Sequence, residues 1–142
     1  MKNALLIFFL LLPYISFSQS EERNLTFDSL DFKIIQHASL ILQDSSVWNK
    51  NDDRECEDDI ENKSYSLFCA LFKASMDVTG EYVHRRAGMQ QVRFTLEKYE
   101  DGRVTSHRLM DWNNHPNTTF EEVKMVLEEA LEVVQTQLKQ GN

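Results

Sequence analysis

Apolar residues recur along this chain mostly at three- and four-residue steps, and each such run is bounded by a recognisable start or stop. From Thr26 to Leu42 the sequence TFDSLDFKIIQHASLIL places Phe27, Leu30, Ile34, Ala38 and Ile41 on one stripe, with Asp28, Lys33 and Gln36 away from it. That spacing predicts an amphipathic helix capped by Thr26. The stretch SYSLFCALFKAS, Ser64 to Ser75, is apolar around most of its helical circumference. Such a helix belongs at the centre of a bundle, and Gly80 is placed to close it in a left-handed conformation. Between Tyr82 and Tyr99, Met89, Val92, Leu96 and Tyr99 make a helical stripe, while Val92, Phe94 and Leu96 alternate as in a strand. The helix formers of MQQVRFTLEKYE favour helix. The extended alternative pairs Val92–Tyr99 with Val104–Met110 in a short hairpin about Asp101-Gly102. At Thr118-Thr119-Phe120-Glu121 a threonine followed three residues later by a glutamate offers a capping box. Phe120, Val123, Leu127, Ala130, Val134 and Leu138 then line one side of a helix from Thr119 to about Lys139.

These elements predict a mainly α, single-domain bundle of about four helices, with Tyr65–Ser75 buried by the other three. Four glycines and two prolines in 142 residues argue against a turn-rich β-sandwich. No internal repeat or low-complexity linker interrupts the chain.

The amino terminus, MKNALLIFFLLLPYISFSQS, has Lys2, then the apolar run Ala4–Leu12, then Pro13 and small residues. This is the pattern of a secretory signal peptide over residues 1–18, cut before Gln19, which makes residues 19–142 the mature domain and sends it to the periplasm or outside the cell. The run is too short for a stable membrane anchor, and no cysteine near the cut offers a lipid attachment site. The formal charge of −8 becomes −9, because Lys2 leaves and no acidic residue does. So acidic a domain repels phosphate backbones and anionic headgroups, which disfavours nucleic acid and membrane surfaces as partners. Asn24, Asn62 and Asn117 stand in Asn-x-Ser/Thr tripeptides, a pattern common by chance.

Cys56 and Cys69 are the only cysteines. In an oxidising compartment the expected outcome is a disulfide tying the acidic segment to the central helix. The competing reading makes Cys69 a nucleophile, with His107 as base and Asp111 or Asn113 as orienter of the imidazole, in a cysteine hydrolase. Asn51 to Asn62 carries seven carboxylates and one arginine, Arg54. Self-repulsion predicts an open, solvated loop, with docking onto His84-Arg85-Arg86 and Arg93 as a further option. A calcium loop would need a glycine at its sixth position, and no register of this segment supplies one. The four histidines include no pair at helical ligand spacing, so neither a metal nor a cofactor is expected.

The segment Arg108 to Thr119, RLMDWNNHPNTT, is the most unusual in composition. Asn and Asp side chains that bond nearby amides, and a proline that stops a helix, account for it structurally. The functional alternative is a polar, aromatic-edged surface of Trp112, Asn113, Asn114 and His115. Ile41-Leu42-Gln43-Asp44 with Trp48, Cys69-Ala70-Leu71, and Trp112-Asn113-Asn114-His115-Pro116-Asn117-Thr118-Thr119 with Glu122-Val123 together resemble an uncharacterised family of small bacterial domains of unknown function. Asn114 replaces the usual aspartate, Phe72-Lys73 replaces a glycine, and the family usually lacks a secretion signal. The resemblance implies a small helical fold and carries over no activity.

The function expected from these features is that of an exported, non-enzymatic binding protein with an unidentified protein partner, including the narrower case of a periplasmic protector against a basic toxin. Its expected contact surface is the Asp111–Asn117 loop beside the basic His84–Arg93 face, which carries Arg85 and Arg86.

Overall fold

The first helix begins one short step later than the threonine cap predicts. Asp28 is the cap: its carboxylate accepts the N–H groups of Leu30 and Asp31, and Asp31 reaches back to the Asp28 N–H at 2.9 Å. Two aspartates three residues apart close the box that Thr26 cannot. The computed structural model describes residues 24–141, so the expected leader and its expected cut before Gln19 lie outside the described residues.

Among the described residues six α-helices follow one another: α1 Ser29–Ile41, α2 Cys56–Asn62, α3 Leu67–Thr79, α4 Ala87–Leu96, α5 Arg108–Asn114 and α6 Phe120–Gln140. The mainly helical class holds, and the count rises from four because two segments read as loops wind into two-turn helices. In α2, Glu57, Asp58 and Asp59 occupy the first turn, where the positive end of the helix dipole offsets their mutual repulsion. Lys63 closes the helix in a left-handed conformation at φ 52°. The acidic run is therefore not the open loop expected, and Asp52 and Asp59 are buried. In α5 the polar segment is helical up to Asn114, and His115 turns extended ahead of Pro116, as the ring of a following proline requires.

α1 packs against α3, α4 and α6, while α3 packs mainly against α1, α2 and α5. The central helix is thus α1, through Ile34, Ile35 and Ala38, and not α3. The all-round apolarity of α3 has another cause. Leu67, Ala70, Leu71 and Ala74 enter the core, whereas Phe68 and Phe72 are half-buried on a second face. They pack there with Tyr82 at centroid distances of 5.8 and 5.3 Å.

No hairpin forms at Asp101-Gly102. A turn is present, with both residues at positive φ, but Glu97–Tyr99 continues α4 as a tight 3₁₀ turn. Arg103 folds back to the carbonyls of Tyr99 and Glu100 and so clamps the turn to its own helix. The box opening α6 uses Thr119 and Glu122. The box thus lies one residue later than the Thr118–Glu121 pair expected, and Thr118 is buried and donates instead to the Trp112 carbonyl at 2.5 Å.

Candidate functional site

Of the polar segment read as a surface, Trp112 and Asn113 form an internal brace, while Asn114 is exposed and His115 half-buried. The Trp112 side chain is fully buried, its indole N–H donates to the Tyr99 carbonyl at 2.9 Å, and the Arg103 guanidinium covers the ring. Asn113 is also fully buried. Its Oδ1 accepts from Trp48 Nε1 at 2.9 Å and Leu67 N at 3.1 Å, and its Nδ2 donates to the Asn49 carbonyl at 3.0 Å. Asn114 exchanges two hydrogen bonds of 2.7 Å with the backbone of Asp52. His115 Nδ1 accepts the Asn117 N–H at 3.2 Å. Trp112 and Asn113 therefore offer no accessible surface, because their polar atoms are spent holding three loops together. Arg86 is likewise a structural residue: Nη2 bonds both Asp28 oxygens at 2.7 Å, and Nε lies 3.0 Å from the buried carboxylate of Asp31.

The hydrolase constellation does not assemble. Cys69 is bonded to Cys56 in a disulfide, which leaves no thiolate to attack. Asp111 Oδ2 accepts the backbone N–H groups of Thr105, Ser106 and His107 at 2.6 to 3.0 Å and leaves the imidazole unoriented. Those bonds, from Ser106 first and then Thr105, hold its carboxyl well below the usual carboxylate range. Asn113 points inward, as described. Among the described residues no group of three or more His, Cys, Asp or Glu side chains converges as metal ligands, and no helix is long and apolar enough to cross a membrane.

What the fold does build is a cleft between α3, the loop after it and the start of α5. One lobe, of about 290 Å³, is walled by Arg54, His84, Arg93, His107 and Arg108, and floored by Phe68 and Tyr82. Arg108 is neutralised by Glu97 and Glu100, each at 2.7 Å. Arg54 and Arg93 are not: among the described residues neither has a carboxylate partner. Arg93 bonds neutral groups, the carbonyls of His84 and Met89, the Tyr82 hydroxyl and His84 Nδ1, at 3.0 to 3.4 Å. Arg54 Nη1 lies 3.4 and 3.3 Å from the two ring nitrogens of His107. Nearly equal distances to both nitrogens place the guanidinium over the imidazole face. Arg54 itself sits at φ 68°, with its N–H held by Asp52 Oδ1 at 2.7 Å. A non-glycine residue in that region costs about 1 kcal/mol, a strain that surrounding contacts must sustain.

The electrostatic imprint of this wall falls on His84, whose pKa is pushed down by burial and then by the charges of Arg93, Arg85 and Arg54. Arg85 acts only through that field, since it is exposed and stands outside the lining. In a chain whose formal charge is −8, guanidinium groups that have no carboxylate partner among the described residues and surround a cavity can serve as an anion site.

Residues 31–133 match the model of a family described as a family of unknown function (DUF6197). The chain belongs to this family. An uncharacterised domain family is what the sequence resemblance implied, and membership in DUF6197 assigns no chemistry. No curated protein and no solved structure matches the chain. The DUF6197 span takes in the entire wall of the cleft as well as the brace around Asn113.

Two signals for the cleft were present in the sequence of this DUF6197 protein. A single arginine amid seven carboxylates, Arg54, is anomalous in its own neighbourhood. The surplus aromatic residues of α3, Phe68 and Phe72, exceed what one buried helix face accommodates. Neither signal says that the two meet, because that depends on the path of the chain between Asn49 and Cys56.

Proposed function

We propose that the protein is exported and acts as a non-enzymatic binding protein, capturing the anionic group of a ligand in the basic, aromatic-floored lobe of its cleft. The observation that carries this reading is the pair Arg54 and Arg93, two arginines that wall one cavity and have no carboxylate partner among the described residues. Export is supported by the amino-terminal leader pattern and by the Cys56–Cys69 bond, which persists in oxidising compartments. A binding role in place of catalysis fits the sulfur of Cys69 being bonded and Asp111 being occupied with the backbone.

The test is a titration of the oxidised mature protein, residues 19–142, with phenylacetate, an aromatic carboxylate that matches both wall and floor. Saturable backbone-amide shifts confined to the neighbourhood of residues 54, 68, 82, 84, 93 and 107 are expected. Arg54→Ala or Arg93→Ala should weaken binding about tenfold, the scale of one lost charge-assisted hydrogen bond. Non-saturable shifts, or affinity unchanged in both variants, would reject the site. Amino-terminal sequencing of the protein from its native cell checks export, with Gln19 expected as the first residue.

A further inference from the structure

The basic lobe is half of a longer groove. A second lobe, of about 440 Å³, shares Arg54, Phe68 and Tyr82 with the first and continues over Phe72 to a wall formed by α2, where Glu55, Glu57 and Asp58 stand with Ile60. The aromatic residues common to both lobes make the floor continuous. Each lobe falls within or close to the usual size of small-molecule sites. Along the groove the lining passes from positive, through aromatic, to negative. The acidic wall is anchored, since Cys56 at the start of α2 is bonded to Cys69 on α3, the helix that supplies Phe68 and Phe72. Glu55, Glu57 and Asp58 are exposed, and among the described residues none has a cationic partner.

This gradient selects against a ligand that is anionic throughout, because its far end would face carboxylates. It complements a ligand with the opposite order: a carboxylate, an apolar group beside it, and a cation farther along. A peptide carboxyl terminus has that order when its last residue is aromatic or large and aliphatic and a basic residue precedes it by a few positions. The terminal α-carbon carries both the carboxylate and the apolar side chain, so one residue meets the guanidinium wall and the adjoining aromatic floor together. Capture of a terminal carboxylate is an established way of recognising peptides. Resting on the anion-capture reading above, we infer that the groove binds the carboxyl-terminal segment of a polypeptide, with the terminal carboxylate at Arg54 and Arg93, the last side chain on Phe68 and Tyr82, and an upstream lysine or arginine at Glu57 and Asp58.

The test uses four probes against the oxidised mature protein by isothermal titration calorimetry: acetyl-Lys-Ala-Ala-Phe with a free carboxylate, the same peptide as its carboxyl-terminal amide, acetyl-Glu-Ala-Ala-Phe with a free carboxylate, and phenylacetate alone. The lysine peptide acid is expected to bind about tenfold tighter than its amide, the contribution of a charge-assisted contact. It should bind about threefold tighter than the glutamate peptide, as exposed ion pairs allow. The double variant Glu57→Lys and Asp58→Lys should reverse the lysine-over-glutamate preference. Arg54→Ala should bring the acid down to the affinity of the amide. Equal affinity for acid and amide, with phenylacetate still bound, would overturn the peptide-terminus inference and leave anion capture standing. Equal affinity for the lysine and glutamate peptides would remove the acidic wall from the site. Failure of phenylacetate and both acids to bind would remove the underlying reading as well.

Discussion

The indole N–H of Trp48 donates to Oδ1 of Asn113 at 2.9 Å, across 65 residues of chain. The same oxygen accepts the N–H of Leu67, the first residue of α3, and the amide nitrogen serves the carbonyl of Asn49. One buried asparagine thereby joins the loop after α1, the start of α3 and the end of α5. A buried polar group left unpaired costs about 1 to 3 kcal/mol. Asn113→Ala strands an indole N–H, a backbone N–H and a carbonyl at once, so a loss of at least about 3 kcal/mol is expected from chemical denaturation of the oxidised protein. A change within about 0.5 kcal/mol, the range of a neutral surface substitution, would contradict the brace.

The Cys56–Cys69 bond closes a short loop that contains all of α2 and the turn into α3. Removing it through Cys56→Ala with Cys69→Ala should cost about 2 to 4 kcal/mol of stability, the usual range for such a crosslink. Hydrogen exchange should show the loss of protection concentrated in residues 56–62, whose acidic first turn has least cohesion of its own. Uniform loss across the six helices would show that the bond supports the whole fold and not its acidic wall.

Gly88 lies in the first turn of α4, where helix propensity alone favours alanine by about 1 kcal/mol. Here the sign reverses. A Cβ at this position would lie 3.0 Å from Asp31 Oδ1 and 3.3 Å from the Asp31 backbone. Asp31 cannot retreat, being buried and held by the N–H groups of Gly88 at 2.8 Å and Asp28 at 2.9 Å. Gly88→Ala is expected to destabilise by about 1 to 3 kcal/mol, as overpacking does. A gain in the thermal midpoint would show that the close approach of α4 to α1 is softer than this geometry implies.

Asp111 provides the pH prediction. Its carboxyl is depressed in the folded state, above all by the Ser106 and Thr105 N–H groups. A depressed carboxyl adds stability that is full above the unfolded pKa, about 3.9, and is lost as the pH falls through the folded value. Asp111→Asn keeps the shape and loses the charge, so it should cost about 1 kcal/mol at pH 7, comparable to a helix cap. The gap from the natural protein should narrow from about pH 5 downward. Denaturation midpoints across that range check it, and a gap that stays constant would show that the charge contributes nothing.

His84 reports on the cleft. Burial and three arginines favour its neutral form, and an anion placed among those arginines reverses the balance. Phenylacetate should raise the depressed His84 pKa back towards the ordinary histidine range and bind more tightly as the pH falls through it. The imidazole proton shifts in a pH titration with and without phenylacetate measure this directly. An unchanged His84 titration at saturating phenylacetate would place the anion elsewhere.

Local features of the chain were sufficient for much of the architecture. The threonine-glutamate capping signal, read one residue early, and the six-residue apolar stripe determine α6, because capping and periodicity act within a few residues of each other. Gly80 closes α3 at φ 79° for the same reason, and the helix formers of 89–99 outweigh the alternating pattern that suggested a strand. What the tertiary structure alone decided depends on groups distant along the chain. Nothing near Trp112 indicates that its indole and the amide of Asn113 find partners at Tyr99, Trp48, Leu67 and Asn49, and an Asn-rich segment looks the same whether its bonds face inward or outward. The helical state of 56–62 sits beside a crosslink to α3 that closes only in the folded chain, a partner its charge pattern does not reveal. The cleft required Arg54, Phe68 and His107 to be brought together by three separate elements, an encounter governed by packing and not by spacing.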